Sequence, residues 1–378
     1  MIKKKKLVIA TDNFLPRWDG ISRFLSEIVP RLAKKYDITV IAPDYGETSN
    51  KDFKVVKIPL KLMMLGDFQP AKIHYHEIKK IIRETDAVFT QTIGTIGTPA
   101  IIAAKKLNKP LACFIHSIEW ELFPKAVSMP LMKKFLYPFT KRLVRYLYNK
   151  ANVLIVPSSS ISDMLTWQKI ITKKEVAHLG VNTTKFVKGS IEEAKNKAGF
   201  KRNEFVIGYH GRLGREKDLK TLLRAFNRIK SQNKNVRLLI VGAGTKDVED
   251  MFKNKEGVTY VGQKDNVVPW IQAMDCFVLP SLTETSSLST LEAMSCEVPV
   301  VATQVGFVKT YIEDGENGLF FDMQHPYMLS KRIQTLMEDP VLRAKLGRNA
   351  RKTIIERFSW EVAAEKIEQY INELMDEK

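Results

Sequence analysis

Short apolar runs alternate along this chain with longer stretches whose apolar positions recur every three or four residues. The runs Leu7–Ala10, Ile38–Ala42, Val55–Ile58, Ala87–Gln91, Leu111–Ile115 and Val153–Val156 have the length and composition of buried strands. Ile21–Lys35 sets Phe24, Leu25, Ile28, Val29 and Leu32 on one helical face, and Pro99–Leu107 is a second helix. A polar stretch, Val187–Lys201, interrupts the pattern, which then restarts. Its new strands are Phe205–Gly208, Val236–Val241, Val258–Val261, Cys276–Leu279 and Val298–Ala302. Helices Asp218–Lys230, Val267–Met274 and Ser289–Ser295 lie between them, and Trp360–Met375 closes the chain. Such alternation predicts parallel βαβ units, hence an α/β chain of two halves joined near residues 180–200. Ligands of open parallel sheets bind beyond the carboxyl ends of the strands, so the chemistry belongs to the strand-end loops.

Length agrees: 378 residues suit two domains of about 150 each. Charge adds more. Sixty Lys and Arg against 42 Asp and Glu give a net +18, which favours a polyanionic partner: nucleic acid, anionic lipid headgroups or phosphorylated small molecules. No helix-turn-helix, RNP-like motif or zinc spacing accompanies the charge, so nucleic acid is not expected. The three cysteines, Cys113, Cys276 and Cys296, are widely spaced in apolar contexts. They suit neither a disulfide framework nor a zinc site and point to a reducing cytoplasm. Leu7–Ala10 is too short for the apolar core of a signal peptide, and no run reaches the roughly 18 apolar residues of a spanning helix.

The strand-end loops carry the candidate chemistry. The first, Thr11–Gly20, contains Asp12, Trp18 and Asp19 and opens a helix at Gly20; it is either a plain βα turn or a backbone approach to an anion. His116 directly follows a buried strand and is either structural or directed at a ligand. In the second half, Gly211-Arg212-Leu213-Gly214-Arg215-Glu216-Lys217 offers a fork donor, a point charge and a helix start, which suits a diphosphate or a solvated basic loop. Gly242-Ala243-Gly244 lacks the third glycine of a dinucleotide fingerprint and reads as a tight turn. Glu284 ends a strand and Glu292 lies on the next helix, with seven residues between them. Carboxylates accept hydrogen bonds from sugar hydroxyls, while the amides of Ser286, Ser287 and Leu288 at the helix start favour phosphate oxygens.

Glu284 and Glu292 match the E-x7-E motif of the retaining GT-B glycosyltransferases of family four, and the resemblance spans nearly the whole chain. Thr11 to Gly20 resembles that family's T-D-x-F-L-P-x-x-x-G loop, and Gly211-Arg212-Leu213 with Lys217 its G-R-L…E-K motif. Pro299-Val300-Val301-Ala302-Thr303 and Asp314-Gly315-Glu316-Asn317-Gly318 match its closing motifs. The resemblance implies two Rossmann-like domains facing across a cleft: an acceptor-side domain at 1–187, a nucleotide-sugar domain at 188–357, and a helix at 358–378 that can pack back on the first. It further implies that Arg212 and Lys217 bind the donor diphosphate, approached by Gly20 and Gly211. Glu284 would hold the donor sugar, Glu292 the ribose, and Val261-Gly262 would border the base. His116 would contact the sugar near the reacting carbon; with Glu284, Arg212 and Lys217 it forms the expected catalytic set. Asp12, Trp18 and Asp19 fall on the acceptor side. No D-x-D sequence occurs, so a metal-free enzyme without cofactor is expected, using a UDP-sugar or GDP-sugar as donor. Three positions depart from the family: Glu297 replaces a glycine, Phe307 the second glycine of a pair, and Thr310 a glutamate.

The opening loop and the Glu284-Thr285-Ser286-Ser287 sequence resemble lipid-glycosylating members, the diacylglycerol glucosyltransferases and phosphatidylinositol mannosyltransferases. Lys125 to Lys150 holds seven basic residues, no acidic one and many apolar ones. Through Lys133, Lys134, Lys141, Arg142 and Arg145 it is suited either to an anionic membrane or to packing on its own domain, with Pro138 kinking or dividing it. The expectation is a hexosyltransferase, cytoplasmic and peripheral on the inner face of the membrane, acting on a lipid or lipid-linked acceptor. A soluble sugar or other small-molecule acceptor is the alternative.

Overall fold

Seven parallel strands form the first sheet: β1 Lys6–Ala10, β2 Asp37–Pro43, β3 Lys54–Ile58, β4 Ala87–Thr90, β5 Leu111–Phe114, β6 Val153–Val156 and β7 Lys173–Val176. Their order is β3-β2-β1-β4-β5-β6-β7. Six more make the second sheet: β8 Phe205–His210, β9 Val236–Val241, β10 Val258–Tyr260, β11 Cys276–Leu279, β12 Val300–Thr303 and β13 Leu319–Phe321, in the order β10-β9-β8-β11-β12-β13. This computed structural model describes residues 4–17, 19–48, 52–64, 68–120, 130–284 and 286–376, with backbone alone for 130–135. All neighbouring strands run parallel, and the strand order reverses between β1 and β4 in one sheet and between β8 and β11 in the other. Those are the switch points at which an open parallel sheet splays its loops and leaves a crevice.

Near-continuous apolar strands are explained by burial on both faces. In β11, Phe277 and Leu279 enter one core cluster while Cys276 and Val278 enter another on the opposite face. All three cysteines are buried free thiols, and burial pushes the Cys113 and Cys296 thiols up to about 12. Among the described residues no helix is long and apolar enough to cross a membrane. The helix Pro130–Tyr148 runs through Pro138 without being divided there.

The chain forms two compact units, Met1–His178 with Ala363–Lys378, and Leu179–Val362. The break precedes the 187/188 position read from the sequence because 181–187 is bonded into the second unit. Val181 bridges to Ser359, Ser295 Oγ donates to Phe186 O at 2.6 Å, and Gln272 Nε2 donates to Val187 O at 2.7 Å. The polar stretch that follows is not a bare linker. Ser190 caps a helix, Ile191–Lys197, whose Lys195 is buried 2.6 Å from Asp275. The terminal helix Trp360–Asp376 joins the first unit through Tyr36 Oη to Asn372 Oδ1 (2.7 Å) and Tyr370 Oη to Val176 O (3.2 Å).

Candidate functional site

Three loops meet at the carboxyl ends of β8, β9 and β11. The loop after β8 lies against the turn after β9: Gly211 N donates to Val241 O at 3.0 Å and Leu213 N to Ala243 O at 2.9 Å. Gly242 makes this approach possible. It has φ +136°, and a Cβ there would stand 1.9 Å from Gly211 O. Gly242 N in turn donates to Gly262 O at 2.8 Å, which sets Val261-Gly262 beside the same turn. The loop after β11 is tied in by Leu282 N donating to Glu216 O at 2.8 Å.

Within this frame Lys217 Nζ lies 2.6 Å from Glu284 Oε1, which also accepts from Ser281 Oγ at 2.7 Å. Both charged side chains are largely buried. Arg212 behaves differently. Its side chain is 72% exposed and pairs with Glu216 at 2.6 Å, so the two expected phosphate-binding cations do not converge on one carboxylate. Glu292 is buried on the helix Leu288–Ser295, with Oε2 3.6 Å from His210 Nε2; that nitrogen also lies 3.0 Å from Ser289 O. Two interior carboxylates thus stand beside cationic or imidazole partners on either side of one helix start.

That helix start is strained. Ser287 precedes it at φ +42°, a left-handed conformation rare outside glycine, and no side chain caps the first turn. The Ser287 hydroxyl lies 2.7 Å from Thr290 Oγ1, and Ser286 and Ser287 are both buried. The uncapped amides of such a turn suit an anion. Gly306, at φ +51°, lets the next loop close on Glu284, since a Cβ there would fall 1.7 Å from Glu284 O. Sequence reasoning missed His210 and the buried Tyr311, whose phenol is pushed up by burial and lies near Thr290, Ser287 and Glu284. His210 was accessible by the argument applied to His116, since it ends a strand.

The departures have local causes. Glu297 sits at φ +59°, which explains why glycine suits the position, and pairs with Lys188 at 2.8 Å. Phe307 is buried edge-on against Tyr311 and Phe358. Thr310 Oγ1 donates to Phe307 O at 2.7 Å.

In the first unit, Asp12 is committed internally. Its carboxylate accepts from Thr92 Oγ1 (2.6 Å), Thr95 Oγ1 (3.1 Å), Ile96 N (2.8 Å) and Gly97 N (3.1 Å), organising the turn into Gly97–Lys106. Asp19 caps the helix Gly20–Ala33, its Oδ1 accepting from Ile21 N and Ser22 N, both at 2.9 Å. Open space lies where a Gly20 Cβ would be. Trp18 lies outside the described residues, as do Thr285 and the side chains of Lys133 and Lys134. His116 Nε2 is 2.9 Å from Gln91 Oε1, and its ring packs on Phe24 and Phe114. Burial pushes it down to about 3, leaving a neutral imidazole. Glu119, three residues on, accepts from Tyr148 Oη at 2.8 Å and is pushed up to about 7 by burial. Among the described residues no group of three or more His, Cys, Asp or Glu converges as a metal site would require.

Two family models match: glycosyltransferase family 4 over residues 18–185 and glycosyl transferases group 1 over 190–353. The capsular polysaccharide biosynthesis glycosyltransferase CapM of Staphylococcus aureus is 24% identical, covering 100% of this chain and 99% of its own. The alpha-monoglucosyldiacylglycerol synthase of Acholeplasma laidlawii is also 24% identical, covering 98% of each. The crystal structure of Anabaena HepE in complex with UDP superposes with a TM-score of 0.76 at 19% identity, over 98% of this chain and 100% of the other.

Proposed function

The chain belongs to the glycosyltransferases, group 1 and family 4, with the GT-B fold, and from that premise we propose a retaining enzyme that moves a hexose from a UDP-sugar or GDP-sugar to a lipid or lipid-linked acceptor at a membrane face. The observation that carries the donor half of this reading is the pairing of Lys217 with Glu284 beside the uncapped Leu288–Ser295 helix start, with Glu292 buried on that helix. The Glu284–Glu292 segment offers amides for a pyrophosphate and a carboxylate at each end for sugar hydroxyls, and Lys217 from the loop after β8 adds a cation.

Departure of a nucleoside diphosphate builds negative charge. Lys217 and the amides of Ser286, Ser287 and Leu288 stabilise it as it develops, and the Arg212 guanidinium joins them by turning from Glu216. Glu284 orients the donor sugar and Glu292 the ribose, while Val261-Gly262 borders the base. Neither a metal nor a cofactor is needed in this scheme. His116 enters as a neutral hydrogen-bonding group. The lipid acceptor is supported by the alpha-monoglucosyldiacylglycerol synthase likeness and by the basic helix Pro130–Tyr148, whose Lys133, Lys134, Lys141, Arg142 and Arg145 suit an anionic cytoplasmic leaflet.

A thermal-shift screen over uridine, guanosine and adenosine diphosphate sugars tests the donor, because a ligand of the native state raises the melting temperature. A rise with one base, and slow donor hydrolysis that disappears in Glu284→Ala, is expected. No shift with any of them removes the reading.

A further inference from the structure

The β5-to-β6 connection contains the helix Pro130–Tyr148, and the β6-to-β7 connection the helix Ser159–Trp167. Both step the same way across the sheet, and right-handed crossovers then put both helices on one face. The packing agrees. Val144, Leu147 and Tyr148 from the first helix and Leu165 from the second share a buried cluster with Leu154 and Val156 of β6. The outer sides of the two helices therefore belong to one surface of the first unit.

On that surface Phe139, Tyr146, Trp167 and Ile171 are 65%, 59%, 81% and 85% exposed. Phe139, Arg142 and Tyr146 follow one another along a helical stripe. The turn after Trp167 is held to the end of that stripe: Asn149 Nδ2 donates to Lys169 O at 3.2 Å and Ile171 N donates to Asn149 Oδ1 at 2.8 Å. Residues 136–172, which carry these side chains, hold five cations, Lys141, Arg142, Arg145, Lys150 and Lys169, against one acid, Asp163. Lys150 Nζ sits 4.2 Å above the Tyr146 ring and Lys141 Nζ 5.7 Å from the Tyr137 ring centre. Isolated exposed apolar residues are ordinary; several large ones gathered among cations mark a contact surface.

We propose that this face docks on an anionic lipid bilayer, with Phe139, Tyr146, Trp167 and Ile171 entering the interfacial layer and the five cations meeting headgroup phosphates. This deepens the membrane-acceptor reading and rests on it for the partner. It adds an anchor, centred on Trp167 and Ile171, that the basic helix alone does not contain. Single-stranded nucleic acid also uses aromatics among cations. Ile171, the most exposed of the four, has no ring to stack on a base, and this favours the bilayer. The two contributions separate by salt, because screening weakens the cations and leaves apolar insertion intact.

The test is co-sedimentation of the full chain with phosphatidylcholine vesicles, with and without phosphatidylglycerol, across a salt series. Wild type is expected to sediment with the anionic vesicles. The double variant Trp167→Ser/Ile171→Ser is expected to bind about tenfold more weakly or worse at every salt concentration. Arg142→Gln/Lys169→Gln should lose affinity at low salt and converge on wild type at high salt. All these side chains are exposed, so unchanged melting temperatures show that the variants fold. Wild-type sedimentation by Trp167→Ser/Ile171→Ser overturns the proposal. So does a loss seen instead in Leu62→Ser/Met63→Ser, two other exposed apolar positions, or binding of single-stranded DNA but not vesicles. Transfer to detergent-dispersed lipid needs no bilayer. Transfer without docking overturns the docking face alone, and docking without transfer overturns the acceptor reading alone.

Discussion

Lys217 and Glu284 are joined by a 2.6 Å ion pair, with side chains 16% and 7% exposed, although 67 residues separate them in the chain. The pair links the loop after β8 to the loop after β11. Removing one partner of a buried pair leaves the other uncompensated, at a cost of about 3 kcal/mol. Lys217→Ala should therefore lose about that much stability and also lower donor turnover by about a hundredfold or more, since the proposed reaction uses this charge against the leaving group. Glu284→Gln keeps the shape and leaves a lysine able to reach water, so its stability should fall less while donor turnover still collapses. Urea melts and donor-hydrolysis rates on both variants check this. Equal turnover in Glu284→Gln and wild type would remove Glu284 from the sugar site.

Gly306 offers a sharper test of geometry, because a side chain there would first meet the backbone of Glu284. An alanine Cβ would lie 1.7 Å from Glu284 O, at a φ of +51° that already disfavours side chains. The Glu284 loop has to move for Gly306→Ala to fold. A displacement of about 1 Å at a positioning residue costs on the order of a hundredfold in rate. The expected outcome is a folded protein whose kcat for donor hydrolysis falls far more than its nucleotide-induced rise in melting temperature. Wild-type kcat in this variant would show that Glu284 placement does not matter.

The physical reach of sequence reasoning differs between elements. β6, β9 and β11 are apolar runs buried on both faces, and the bounds expected for them, Val153–Val156, Val236–Val241 and Cys276–Leu279, are those observed. β7 is Lys173-Lys174-Glu175-Val176 at a sheet edge, where partial exposure removes the apolar signal. β13, Leu319-Phe320-Phe321, is not among the expected strands, although the equally short β10 is. At the site, Glu284 and Glu292 could be read because their spacing lies within one segment. The Lys217 partner of Glu284, the His210 partner of Glu292 and the packing of Gly306 on Glu284 join distant segments, and only the folded sheet brings them together.

Asp12 separates an acceptor role from an architectural one. Four donors converge on its carboxylate, two of them backbone amides at the start of Gly97–Lys106. Asp12→Ala leaves those buried donors without an acceptor, at about 1–3 kcal/mol for each unsatisfied group before relaxation. A net loss of about 3 kcal/mol is expected in urea unfolding, and Asp12→Asn should be nearly as costly because its amide nitrogen faces donors. A residue serving only the acceptor would change KM for the acceptor and leave the unfolding curve in place; that result would make Asp12 an acceptor residue and not an architectural one.

Glu119 makes stability depend on pH in a definite direction. Burial pushes its carboxyl from an ordinary 4.5 to about 7, against the opposing effect of the Tyr148 hydrogen bond. The folded state therefore holds this proton more tightly than the unfolded chain does. Its contribution is complete below about pH 4.5 and is lost as pH rises through 7, up to about 3 kcal/mol for the whole shift. Glu119→Gln keeps an oxygen for the Tyr148 hydroxyl and carries no charge at any pH. The variant should match wild type near pH 5 and become progressively more stable than wild type up to pH 8. His116, pushed down to about 3 when folded, takes up its proton only in the unfolded chain and does so equally in both proteins, so the difference between them reports Glu119. Melting temperatures of the two proteins across the range measure the effect directly, and parallel curves would show that Glu119 is ionised in the native protein throughout.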